Sequence, residues 1–188
     1  MSATSSQAAA GDTDDVLGHA RTHAILREGS LLQRLVATDA TTHAAVARLA
    51  LGLFMLPHAL QKTTGWFDGA GFAATYRAFL SMGIPGPLAF LAIIGELLAS
   101  VALILGALTR VGAAVIIAIM IGAIATVHAP HGYFMNWSGT KAGEGFEVHL
   151  LVIGLALVTL LAGGGRASVD RGLMRWRPAP GGSVSPAM

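Results

Sequence analysis

Four long apolar stretches dominate the chain: residues 44–60, Pro87–Leu108, Val111–Ala129 and Phe146–Ala162. A bilayer core about 30 Å thick takes about 20 helical residues to cross. The middle two stretches meet that length amply, and the first and last only just. A soluble helix bundle would show polar positions recurring about every 3.6 residues, and Val101–Leu108 and Val111–Ile124 have none. Composition points the same way, because only 12% of the residues are charged against roughly a quarter in soluble domains. Inside lipid the backbone must satisfy its own hydrogen bonds, which selects helices. The expected fold is an all-α membrane protein, a four-transmembrane-helix bundle embedded in the lipid bilayer.

Charge gives the bundle a direction. Four spans put the N-terminus, the Thr109–Arg110 turn and the C-terminus on one side. That side carries Arg21, Arg27, Arg34, Arg48, Arg110, Arg166, Arg171, Arg175 and Arg177, nine of the twelve basic residues. The other side carries Lys62, Arg77 and Lys141. Basic residues accumulate on the cytoplasmic side of membrane proteins, so both termini are expected in the cytoplasm. The net charge is only +2 and the arginines are scattered rather than patched, which argues against nucleic acid as a partner. The chain has no cysteine, so disulfides, thiolate metal sites and dithiol redox chemistry are excluded for it.

Residues 1–30 read as a polar, disordered tail, 31–173 as the membrane domain and 174–188 as a flexible end. The start lacks the basic and apolar regions of a signal peptide, so the first span is expected to direct insertion itself. Leu31, Leu32, Leu35 and Val36 with Arg34 suggest an amphipathic N-terminal helix ahead of the first span. Between the first two spans, Phe72, Tyr76, Phe79 and Leu80 share one helical face, which predicts a short interfacial helix. Trp66, Phe67, Tyr133 and Trp137 suit an aromatic belt at the outer surface. Gly95 with Ala99, and Ala118 with Gly122 and Thr126, have the small-residue spacing that lets helices approach closely.

Ionisable groups at membrane depth are costly, so they are the best pointers to a site. Glu96 stands in the second span, as a candidate proton carrier, a hydrogen-bond partner for a ligand, or an interhelical ion pair. His58, Gln61 and Lys62 fall on one face at the end of the first span. His128 and His131 flank Pro130 where the third span ends, without a third ligand at a metal-binding spacing, so no metal site is assigned. Glu144 and Glu147 open the fourth span, where carboxylates also favour a helix N-terminus. His149 lies about 200° around the helix from Glu147, so one of the two faces the interior and the other does not. Arg48, near the inner leaflet, is placed to extend its guanidinium to the headgroups.

The segments LPHALQKTTGWF (56–67), GELLASVALILGALTR (95–110), TVHAPHGYF (126–134), GEGFEVHLL (143–151) and GGGRASVD (163–170) make the sequence resemble the DoxX family of small bacterial four-helix membrane proteins. The resemblance covers roughly Leu31–Leu173. It implies a bacterial inner-membrane location and a redox-associated role akin to a quinol oxidase or thiosulfate:quinone oxidoreductase subunit. Because the direction of the spans gathers the polar membrane-depth groups in the outer half of the bundle, a quinone or small-molecule ligand is expected there. The family's recurrent polar positions match His58, Lys62, Trp66, Glu96, His128, His131 and Glu147 as ligand- or proton-site candidates, with Arg110 matched beside them. Arg48 and Arg110 are read as structural and topological. No catalytic residue is assigned, and an accessory subunit is expected rather than a self-sufficient oxidoreductase. The alternative is a non-catalytic membrane scaffold, holding a partner oxidoreductase or forming a homo-oligomer.

Overall fold

The structure, a computed structural model, describes residue 17, residues 20–27 and residues 29–176, and these form helices and connecting turns with no strand. The outer parts of the two tails read from sequence, residues 1–16 and 177–188, lie outside the described residues. Residues 20–27, within the segment read as a tail, are helical (α1), and Thr22 is buried with its hydroxyl donated to the Thr38 carbonyl at 3.1 Å. The remaining helices are α2 (Leu31–Val36), α3 (Thr42–Thr63), α4 (Gly71–Ser81), α5 (Gly86–Leu105), α6 (Thr109–Ala123), α7 (Glu147–Ala162) and α8 (Val169–Trp176). α6 continues through a π-helical turn, Ile124–His128, and a 3-10 turn, Ala129–His131.

Three helices are long and apolar enough to cross a membrane: Thr42–Thr63, Gly86–Leu105 and Thr109–His131, of 22, 20 and 23 residues. These are the first three stretches of the sequence reading. The fourth, α7, is apolar but has 16 residues. At a rise of about 1.5 Å per residue it spans about 24 Å, short of a typical hydrocarbon core.

Local signals explain where the helices begin and end. Ser30 and Gln33 form a reciprocal capping box at the start of α2, and Thr41 accepts the Ala44 amide at the start of α3. α5 closes on Gly106 in the left-handed region, φ 69°. There the Gly106 amide returns to Leu103 and the Ala107 amide to Ala102, a Schellman closure in which glycine avoids the steric penalty of a Cβ. Pro57 is absorbed inside α3 without ending it.

One core joins four helices. Leu51 and Met55 of α3, Ala99 and Leu103 of α5, Ala113, Ile116 and Met120 of α6, and Val152 and Ala156 of α7 pack together. Only part of the small-residue pattern serves this packing. Ala99 is buried, but Ala118, Gly122 and Thr126 are exposed, and nothing lies within 4 Å of a Cβ built on Gly122. α4 rests on α3 and α5 with no buried residue of its own. Phe72 stacks on Tyr76 at 5.8 Å and meets Phe90 of α5 edge-on at 6.0 Å. That is the behaviour of a helix lying on the bundle rather than in it.

Candidate functional site

The bundle has two chemically distinct ends, one rich in histidine and one rich in arginine. At the histidine-rich end, α3 and α5 run antiparallel, so the last turn of α3 stands level with the middle of α5. Lys62 thereby meets Glu96. Its Nζ lies 2.7 Å from both carboxylate oxygens. The carboxylate is 2% exposed and the lysine 31%. An isolated buried carboxylate is prohibitively costly, and a cation held against both oxygens offsets that cost. Ser100, one turn further along α5, donates its hydroxyl to the Glu96 carbonyl at 2.7 Å. The pair is reached from outside through Lys62, which keeps part of its surface exposed.

Three imidazoles gather around this pair. His58, one turn before Lys62, lies 5.3 Å from the Phe54 ring and within electrostatic reach of both Lys62 and Glu96. His149 of α7 lies within reach of Lys62 and His58, and its ring centroid is 4.0 Å from that of His128. Its Nδ1 is buried and has no hydrogen-bond partner among the described residues. The choice left open between Glu147 and His149 is thus decided: His149 faces inward. Glu147 turns to the loop, where it accepts the Trp137 indole N–H at 3.0 Å.

The π-helical turn has a part in this arrangement. A turn wound on a wider pitch changes which side of the helix the following residues face, and such turns concentrate at functional sites. Here it ends on His128, whose Nδ1 is 2.9 Å from the Glu144 carbonyl while its ring meets His149. Sequence reading located His128 through its neighbour Pro130; the π turn itself leaves no obvious mark in the residues.

Not every candidate joins the cluster. Trp66 is 62% exposed and contacts Phe67, because the turn after α3 carries Phe67 and Asp68 at positive φ (55° and 60°) and swings the indole outward. Gln61 donates to the Phe67 carbonyl in that same turn rather than toward Lys62. His131 lies against Gly143, where a Cβ would come within 2.5 Å of its Nε2. The structure therefore gathers His58, Lys62, Glu96 and His128 with His149, and leaves Trp66, His131 and Glu147 directed to the surrounding loop segments. Among the described residues no three His, Asp or Glu side chains are grouped to ligate one ion.

Arg48 and Arg110 lie at the arginine-rich end. Arg48 does not reach for headgroups as expected. It is 1% exposed and donates to the carbonyls of Leu103 (2.7 Å), Ile104 (2.6 Å), Gly164 (2.8 Å) and Ala167 (3.0 Å). The last carbonyls of α5 lack helical partners, and a buried guanidinium supplies donors exactly where that deficit falls. Arg110 similarly bonds the Ala37 carbonyl at 2.9 Å and the Leu160 carbonyl. Asp170, unremarked in the sequence beyond its place in GGGRASVD, accepts the amides of Leu108 (2.7 Å) and Thr109 (2.9 Å) at the start of α6.

Comparison with known proteins adds one match. No curated protein and no solved structure matches the chain. The model of the DoxX family matches residues 43–129, a stretch running from the start of α3 to just past the π turn. It contains His58, Lys62, Glu96 and His128, whereas His149 lies beyond it. With its long apolar helices and this match, the chain is a membrane protein with a DoxX domain over residues 43–129.

Proposed function

We propose that the chain is a redox-associated subunit of the bacterial inner membrane that binds the polar head of a quinone, or of a similar small lipophile, at the Lys62–Glu96 pair. In this reading α7 is a fourth span, tilted little and matched by local thinning of the bilayer. Both termini are cytoplasmic and the histidine-rich end faces outward. The bonds of Arg48 and Arg110 support the alternating path, since they tie the start of α3, the end of α5, the start of α6 and the end of α7 to one level.

The observation that carries the proposal is the buried His149 Nδ1, which lacks a partner among the described residues and lies within electrostatic reach of Lys62, itself partly exposed and held by Glu96. Buried polar atoms in native structures almost always have a partner, so an orphan nitrogen near a partly exposed ammonium fits a ligand that hydrogen-bonds there. A quinone head offers two carbonyl oxygens for such bonds and supplies the redox chemistry when bound. Lys62 would donate to one oxygen while Glu96 holds it in place. His149 and His58 would orient the head and hold or pass protons at their ring nitrogens. The apolar flanks of the spans would take the tail.

Purified in mild detergent, the protein should retain quinone detectable by mass spectrometry. Glu96→Gln and His149→Ala should each lower retention by roughly tenfold, the effect of losing about one charge-assisted hydrogen bond. Undiminished retention in both variants would remove the site.

A second reading rests on a different observation. Both Glu96 oxygens are already occupied by Lys62, as in an interhelical ion pair that serves packing alone. The chain would then be a scaffold for a partner oxidoreductase, and Glu96→Gln would lower thermal stability with no change in ligand binding.

A further inference from the structure

The arginine-rich end holds a second feature, independent of the reading of the histidine-rich end. α8 presents three faces. Asp170 is turned inward at 1% exposure, both oxygens committed to backbone amides of α6. Val169 and Leu173, one turn apart, form an apolar strip, 48% and 47% exposed. Arg171 and Arg175, also one turn apart, join Arg166 from the preceding loop around a recess of about 350 Å³ floored by Ser168 and Gly172. Among the described residues nothing lies within 4 Å of a Cβ built on Gly172, so a side chain there would enter the recess unopposed by them.

Three arginines line this recess; the Arg171 guanidinium donates to the Ala40 carbonyl at 3.3 Å, and Asp170, the acid nearest in sequence, is committed to the α6 amides. Guanidinium is planar and weakly hydrated, and it binds phosphate oxygens in pairs. The recess also lies at a telling level. It adjoins the end of α5, where a Cβ on Gly106 would meet Ser168, so it sits where the apolar spans stop and headgroups begin. At the same end α2 packs against α8, and Leu31 is 78% exposed and Leu32 46%. Apolar strips beside basic residues are the mark of an interfacial helix whose apolar side enters the acyl boundary. A soluble anion has no use for such strips, whereas a phosphate attached to acyl chains uses both parts.

We propose that Arg166 and Arg175 hold the phosphate of an anionic phospholipid from the leaflet at this end, with Val169 and Leu173 against its acyl chains.

The test uses the full chain in detergent, with native mass spectrometry reading bound lipid from equimolar phosphatidylglycerol and phosphatidylcholine. Phosphatidylglycerol should be retained preferentially. The preference should fall about fivefold for each arginine removed in Arg166→Gln and Arg175→Gln, following the usual contribution of one basic residue at an anionic surface. Gly172→Glu places a carboxylate in the recess without displacing any neighbour and should abolish the preference, while Gly172→Ala should preserve it. Equal retention of the two lipids would overturn the proposal. So would an unchanged preference in the double arginine variant and in Gly172→Glu. Displacement of phosphatidylglycerol by millimolar inorganic phosphate would reassign the recess to a soluble anion and likewise overturn it.

Discussion

Glu96 and Asp170 are both 1% exposed, and each meets the cost of burial differently. Glu96 takes a mobile ammonium from another helix, whereas Asp170 takes two fixed amides at a helix N-terminus. The second solution makes no demand on a flexible side chain and places negative charge at the positive end of the α6 dipole. Asp170→Asn keeps one acceptor but turns an amino group toward the other amide. Hydrogen bonds to charged groups contribute about 1.5–3 kcal/mol, so this variant should melt roughly 3–10 °C lower in a detergent thermal-unfolding assay. A shift below one degree would show that the cap is not needed. Sequence reading singled out Glu96 because a lone carboxylate in an apolar run is conspicuous. Asp170 escaped notice because it follows the spans, where an acidic residue reads as ordinary solvent-facing charge.

The elements were legible wherever length and hydropathy alone decide them. The edges of α3, α5 and α7 fall within a few residues of the apolar stretches, and α2 and α4 emerge where amphipathic patterns stood. The π turn and the connection after α7 were not legible, because both depend on contacts between distant segments. In that connection Gly163 and Gly165 adopt positive φ, 78° and 73°. The Gly165 amide donates to the Thr38 hydroxyl at 2.5 Å, and a Cβ at Gly165 would strike the backbone of Ala45 at the start of α3. The glycine run of GGGRASVD is therefore a steric requirement of close passage as much as a turn signal. Gly165→Ala should cost about 2 kcal/mol or more from strain and overpacking combined. Gly172→Ala, on open ground in α8, should be neutral or slightly stabilising. Parallel thermal melts of the two variants check the contrast, and equal melting temperatures would contradict it.

At the scale of the whole molecule, the absence of cysteine makes orientation directly measurable. Single cysteines at Gly139 and Gly172, both exposed with open space around them, should label oppositely in intact cells. A membrane-impermeant thiol reagent should modify the Gly139→Cys protein before lysis and the Gly172→Cys protein only after it. Labelling of both in intact cells would refute four spans with cytoplasmic termini. The two ends also differ mechanically. At one end Arg48, Arg110 and Asp170 lace five helices together through backbone groups, bonds that break only if the helix ends themselves come apart. At the other, the polar link between α3 and α5 among the described residues is the side-chain pair Lys62–Glu96, added to their apolar packing. The arginine end is thus fastened through the backbone and the histidine end through side chains. A ligand bound at Lys62 would then have side chains to rearrange, while the backbone bonds of the opposite end hold the register of the helices.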